Sequence, residues 1–215
     1  MLRVVLIDDH ELVRTGFRMI LAQQPDIEVV GEASDGEHGL ALLRSLVPEV
    51  ALVDVHMPGV SGIEVTERAR KLKLSTRIVI VTMVSEAPFP KRLLEAGASG
   101  YITKACTSSE LVRAVRQVAD GRRYLAPVVA EVIALASLNG TVHSPFEALS
   151  SRELEVALLL ARGHTMQVIA ARLNLSSKTV ATYKYRLFEK LEIDNSVTLA
   201  HLAGIHGLLD APGTR

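Results

Sequence analysis

The chain has 215 residues and a mass of 23.3 kDa, with 48% hydrophobic and 22% charged side chains, and its 24 basic residues balance 24 acidic ones. That composition excludes a disordered or collagen-like chain, and no uncharged run approaches the roughly 20 residues a membrane-spanning helix needs. The single cysteine, Cys106, excludes an internal disulfide and a cysteine-based zinc site, and the acidic start MLRVVLIDDHE leaves no room for a secretion signal, so a cytoplasmic protein is expected.

From the N-terminus, short β-branched runs alternate with helical periods. Strands are predicted over Arg3 to Ile7, Ile27 to Glu32, Val50 to Val55, Arg77 to Thr82 and Gly100 to Ile102. Helices are predicted over Glu11 to Gln23, Gly36 to Leu46, Gly62 to Lys73, Pro90 to Ala96 and Ser108 to Ala119, the last opened by a capping box of Thr107 and Glu110. The strand runs are apolar throughout rather than alternating, as parallel strands buried on both faces require. Five such βα repeats imply a doubly wound, five-stranded parallel α/β sheet of flavodoxin-like type.

After Arg123 no further strand is predicted. A helical piece from Pro127 to Ser137 runs into LNGTVHSPFEAL, whose Asn139-Gly140 and Ser144-Pro145 pairs are linker chemistry. The remainder reads as four short helices: Arg152 to Arg162, opened by a Ser150–Glu153 capping box, Met166 to Leu173, Ser177 to Leu191 and Ser196 to Leu208. The chain is therefore divided into an α/β domain over 1–122, a linker over 123–148 and an all-α domain over 149–215.

In a doubly wound sheet, ligands bind beyond the carboxyl ends of the strands. Asp8 and Asp9 follow the first strand, Asp54 ends the third, Thr82 ends the fourth, and Tyr101 and Lys104 belong to the fifth and its exit. Three crowded carboxylates repel one another and call for a hard divalent cation, for which Mg2+ is the natural choice. That ion would leave an oxygen position for a phosphoryl group facing Lys104 and Thr82.

The runs LIDDHELVRTG, LVDVHMPGVSG, VTM and GYITKA resemble the motifs of the receiver domain of two-component response regulators. The resemblance implies that Asp54 is the phosphoacceptor, that Asp9 and Asp54 bind Mg2+, that Asp8 assists through water and that the His56 main-chain carbonyl is a further ligand. It also implies that Lys104 pairs with the phosphoryl oxygens, that Thr82 is the switch hydroxyl, and that Tyr101 turns inward when Thr82 moves. Met83 and Ala105 depart from the usual small residue and proline of the family. Cys106 is read as inert.

In the last third, the helix ending at Leu173, the turn Asn174-Leu175-Ser176 and the helix from Ser177 have the spacing of a helix-turn-helix, whose second helix enters the major groove of DNA. Ile169, Ala170, Leu173, Leu175, Val180, Leu187 and Leu191 are the expected core. From Arg172 to Lys190 five basic residues face one acid, Glu189. Lys178, Thr179, Thr182, Lys184, Tyr185 and Arg186 are the candidate DNA contacts, with cations for phosphates and Thr and Tyr tips for base edges. Leu199, Leu202, Ala203 and Leu209 on the last helix are the candidate dimer surface, with packing inside the monomer as its alternative.

The runs LSSRELEVALLLARG, IAARL, LSSKTV and KLEI resemble the LuxR/FixJ type of DNA-binding domain. Both resemblances together imply the NarL/FixJ response-regulator architecture, and TVATYKYRLFEKL with LAHLAGIHGLL is similar to its GacA/UvrY branch. They imply a sensor histidine kinase of hybrid type, promoter DNA and a homodimer as partners, with promoters of small regulatory RNAs as targets. Ala181 and Tyr183 stand where the wider family has lysine and histidine. A phosphatase with an aspartyl nucleophile would want a second carboxylate two residues on, where Asp8 and Asp54 are followed by His10 and His56. A flavin module would want more aromatic side chains, and a phosphorylation-independent adaptor would not need so complete an acidic pocket.

Overall fold

The computed structural model describes residues 1–55, 57, 59–82, 96–127, 129–130, 144–173, 175–206 and 208–209. The chain forms two compact units, Met1–Leu138 and Asn139–Arg215. The predicted helix from Pro90 to Ala96, most of the helical piece from Pro127 to Ser137, and Met83, Asn174 and His56 lie outside the described residues.

In the first unit the strands β1 (Leu2–Ile7), β2 (Ile27–Ala33), β3 (Val50–Asp54), β4 (Arg77–Thr82) and β5 (Gly100–Thr103) pair in parallel with β6 (Tyr124–Leu125), in the order β2-β1-β3-β4-β5-β6. Helices α1 (Glu11–Ala22), α2 (Gly36–Leu46), α3 (Gly62–Lys71) and α4 (Ser108–Ala119) connect them. The strands are apolar throughout because both faces are covered. Val5, Ile7, Ala51 and Val53 face a cluster with Leu40, Leu43, Ile63 and Val65 of α2 and α3, whereas Val4, Leu6, Val50 and Leu52 face Phe17, Leu21, Leu111 and Val115 of α1 and α4. Successive side chains thus alternate between two cores, the pattern of a sheet with helices on both sides.

Two local expectations are corrected here. The sheet has six strands, not five, since Tyr124 N–H donates to Ser99 O at 3.1 Å and Ala126 N–H to Tyr101 O at 2.9 Å. The free edge of β5 captures a segment too short to carry a periodicity of its own. At α4 the Thr107 hydroxyl accepts from Glu110 N–H at 3.2 Å, but the Glu110 carboxylate accepts from the Tyr124 hydroxyl, also at 3.2 Å, rather than closing the predicted box.

Among the described residues the second unit has a 3-10 turn (Pro145–Ala148) and four helices, α5 (Ser151–Ala161), α6 (Met166–Leu173), α7 (Ser177–Leu191) and α8 (Ser196–Ile205). At the start of α5 the predicted capping box is complete: Ser150 Oγ accepts from Glu153 N–H and Glu153 Oε2 accepts from Ser150 N–H at 2.7 Å. Lys190, near the end of α7, donates to the same Glu153 oxygen at 2.6 Å. This fastens two helices to one buried carboxylate. Burial pushes Glu153 up, but the hydrogen bonds from Lys190 and Ser150 outweigh it and hold the carboxyl below its ordinary value. Ile169, Ala170, Leu173, Val180, Leu187 and Leu191 are buried as expected, and Leu175 is half-buried.

Candidate functional site

The strand order reverses at β1, which is flanked by β2 on one side and β3 on the other, so the crevice for a ligand opens between the carboxyl ends of β1 and β3. Asp8 and Asp9 leave β1 there and Asp54 ends β3. Asp54 and Asp8 are 2% and 5% exposed. The turn after β3 keeps this geometry. Gly59 has φ +72°, and the α-carbon of Gly62 passes so near the Asp54 carbonyl that a β-carbon would clash with that oxygen. Ser61 caps α3 by accepting from Glu64 N–H at 3.3 Å, and Gly62 N–H donates to Val55 O at 3.0 Å, tying helix start to strand end.

Lys104 reaches in from the exit of β5. Its Nζ lies 3.1 Å from Asp54 Oδ2, 3.1 Å from Asp8 Oδ2 and 3.2 Å from Asp8 Oδ1. Burial alone would lower its pKa, but the two carboxylates raise it. Asp54 moves the other way from an ordinary carboxylate: burial first, and then repulsion by Asp8, push it up to about 7 despite Lys104. One ammonium does not balance three acids. Asp8 Oδ2, Asp9 Oδ1 and Asp54 Oδ2 are buried without a hydrogen bond.

Ligating atoms of Asp8, Asp9, His10 and Asp54 lie within 4.8 Å of one another. Unsatisfied carboxylate oxygens at this spacing are the donor set of a hard divalent cation, so the residues fit Mg2+. Thr82 is fully buried at the end of β4, where its carbonyl accepts from Lys104 N–H at 2.7 Å. Tyr101 is also fully buried, in one cluster with Ile78, Ile80, Ala126 and Val129. The inward orientation reserved in the expectation for the switched form is thus the one present. Burial pushes its hydroxyl above the usual phenol range. Burial, followed by Glu110, pushes the Cys106 thiol up to about 11, the condition of an inert cysteine.

The candidate DNA contacts on α7 separate into groups. Lys178, Thr182, Tyr185 and Arg186 are exposed, Tyr185 to 71%, and share one face because positions 4 and 7 residues apart return to the same side of a helix. Thr179 is half-buried and bound into the cap, with its hydroxyl 2.8 Å from Ser176 Oγ. Lys184 stands apart from that face: it follows Lys178 by six residues, is half-buried, and its Nζ lies over the Phe188 ring at 5.1 Å from the centroid. On α8, Leu199 and Ala203 are buried inside their own unit, so the outward face is carried by Val197, His201 and Ile205 instead.

His10 is the site residue that the sequence reading passed over. Its Nδ1 lies 2.8 Å from Asp9 Oδ1 and 3.3 Å from Lys104 Nζ. Its position directly after the acidic pair was the available signal.

Residues 4–116 match the response regulator receiver domain family, and residues 147–203 match the luxR family of bacterial regulatory proteins. The response regulator GacA of Pseudomonas aeruginosa is 48% identical over 212 residues, covering 98% of this chain and 99% of that protein. The chain belongs to the two-component response regulators of NarL/FixJ type. The response regulator UvrY of Escherichia coli is 42% identical over 212 residues, or 98% of this chain and 97% of that one. Among solved structures, RcsB of Salmonella enterica serovar Typhimurium, bound to promoter P1flhDC in the presence of the phosphomimetic BeF3-, is similar with a TM-score of 0.65 and 27% identity. That match covers 94% of this chain and 97% of the other. The protein is thus a DNA-binding regulator of transcription in a two-component system, with a receiver domain followed by a helix-turn-helix domain. Among the described residues no helix is long and apolar enough to cross a membrane.

Proposed function

We propose that Asp54 accepts a phosphoryl group from a sensor histidine kinase, of hybrid type by resemblance to the GacA branch, and that this acyl phosphate controls how the second unit binds promoter DNA. The observation that carries the reading is the Asp54 carboxylate itself. It is buried at a strand tip, its Oδ2 has no hydrogen bond, and it sits 3.1 Å from a lysine that reaches it from another strand.

An Asp54 oxygen attacks phosphorus, the P–N bond of the donor phosphohistidine breaks, and the imidazole leaves with the bonding pair. Asp9 and Asp54, with Asp8 through water and the His56 carbonyl, are the groups that would hold Mg2+. When bound, that ion neutralises charge on the transferring oxygens. Lys104, freed from Asp54 as the carboxylate becomes an acyl phosphate, pairs with a phosphoryl oxygen. Thr82, buried next along the sheet edge, donates its hydroxyl to another, and the Tyr101 ring responds to that movement. The residues serve a covalent switch, not turnover of a substrate, so the protein is not an enzyme in the ordinary sense.

Reception is assigned to residues 1–122 and DNA binding to 149–215, with 123–148 between them. Lys178 and Arg186 anchor phosphates while Thr182 and Tyr185 meet base edges. Dimers engage paired half-sites, and the genes controlled are those of small regulatory RNAs. The site of action is the cytoplasm.

The test is incubation of the full chain with acetyl phosphate and Mg2+, followed by intact-mass and peptide mass spectrometry. One phosphoryl group is expected on the wild type and none on Asp54→Asn. Undiminished incorporation in that variant refutes the assignment.

A further inference from the structure

The acidic site holds a nitrogen that neither the proposed phosphoryl chemistry nor the ligand set Asp8, Asp9, Asp54 and His56 carbonyl uses. His10 caps α1 without any capping bond from its side chain. Its ring instead turns back over the carboxyl end of β1. Nδ1 stands 2.8 Å from Asp9 Oδ1, 3.4 Å from Asp8 Oδ1 and 3.3 Å from Lys104 Nζ, while the His10 main-chain N–H donates to Asp8 Oδ1 at 2.8 Å.

Close approach of Nδ1 to Asp9 Oδ1 does not satisfy that oxygen, which remains buried without a hydrogen bond, as do Asp8 Oδ2 and Asp54 Oδ2. In the tautomer with its proton on Nε2, Nδ1 turns a lone pair toward the same space that these carboxylate oxygens face, and a cation placed there is shared by both. The spacing suits one. Adjacent ligands about 2.1 Å from an octahedral centre stand about 3 Å apart, and the two His10–carboxylate separations bracket that value. The His10 backbone is held at both ends, by its own N–H on Asp8 Oδ1 and by Arg14 N–H on its carbonyl at 3.1 Å, so the ring reaches the site by side-chain rotation alone.

From this juxtaposition we infer that His10 supplies an imidazole nitrogen ligand to the divalent cation of the acidic site. The preference of the site thereby moves from a purely oxygen-seeking ion toward a borderline one such as Mn2+ or Co2+. The inference rests on the proposed metal site and deepens it. Mg2+ gains little from exchanging a water for imidazole, whereas the later divalent ions gain more along the series from Mn2+ to Co2+. A site of three carboxylates alone would discriminate weakly among them.

The test uses the full-length protein, stripped with a chelator and loaded with Mn2+ alone. Electron spin-echo modulation of the bound Mn2+ is expected to show coupling to a directly bonded nitrogen, and His10→Gln removes that coupling while Mn2+ stays bound. The His10 side chain is 64% exposed, so the substitution leaves the core untouched. In parallel titrations, His10→Gln weakens Co2+ binding by about tenfold or more and Mg2+ binding by less than about threefold. Bound Mn2+ without nitrogen coupling, or equal losses for Co2+ and Mg2+, overturns the role of His10 and leaves the acidic site standing. A chelator-stripped wild type that takes up no Mn2+ at millimolar concentration overturns the acidic metal site and the His10 role with it.

Discussion

Replacing Asp54 by Asn should make the receiver domain more stable, although it removes a residue at the centre of the site. In the folded chain the Asp54 carboxyl is raised from 3.8 to about 7, chiefly by burial and then by Asp8. Between those two values the folded state holds a proton that the unfolded state has lost, so stability falls as pH rises through the window, and the penalty is complete above about 7. At about 1.4 kcal/mol per tenfold change in proton affinity, the displacement corresponds to an upper bound of about 4 kcal/mol, which Asn, neutral and of the same shape, would recover. Structural relaxation around the buried charge and the ion pair with Lys104 reduce this, and a gain of roughly 1 to 3 kcal/mol is expected at pH 8.

The assay is urea unfolding of wild type and Asp54→Asn, followed by far-UV circular dichroism in the presence of a chelator, at pH 8 and pH 5. The Asn variant is more stable at pH 8, and its advantage falls to less than half at pH 5. Mg2+ at ten times its dissociation constant should stabilise the wild type at pH 8 by about 1.4 kcal/mol and the variant by much less. A variant less stable than the wild type at pH 8 without metal would show that Lys104 over-compensates the acids, and the reasoning would fail.

Gly62→Ala should destabilise the receiver by about 2 kcal/mol or more and slow acetyl-phosphate labelling, because the new β-carbon displaces the Asp54 carbonyl; an unchanged melting temperature and labelling rate would refute this. In the second unit, Lys190→Met leaves buried Glu153 without its cation and should cost about 1 to 3 kcal/mol near neutral pH. Because the Glu153 carboxyl is held below its ordinary value of 4.5, that contribution is present above 4.5 and lost as pH falls through the lower folded value, so the two proteins should converge in acid. In DNA-binding titrations, Lys178→Ala should lower affinity for all duplexes and reduce the salt slope by about one, whereas Tyr185→Ala should narrow the gap between specific and random duplexes. Lys184→Ala, removed from that face, should leave both largely as they are.

Much of this architecture was legible because burial on both faces writes itself into the strands: runs such as VVLI and ALV admit no other parallel-sheet reading. The acidic site was legible because its members recur at successive strand ends, which topology then brings together. β6 was not, since Tyr124 and Leu125 become a strand only by pairing with an edge that exists after folding. The partner of Glu110 was hidden for the same reason, as Tyr124 Oη reaches it across the new strand. His10 escaped notice because an exposed histidine is ordinary until the three-dimensional arrangement shows where its Nδ1 points.

The claim on which the account depends is that the acyl phosphate at Asp54 governs DNA engagement by the helix-turn-helix unit. Genome-wide mapping of bound DNA in cells carrying the wild type or Asp54→Asn, at equal protein levels, addresses it directly. The account predicts that the promoters occupied under inducing conditions by the wild type lose most of their occupancy in the variant. Identical maps from the two proteins would contradict it.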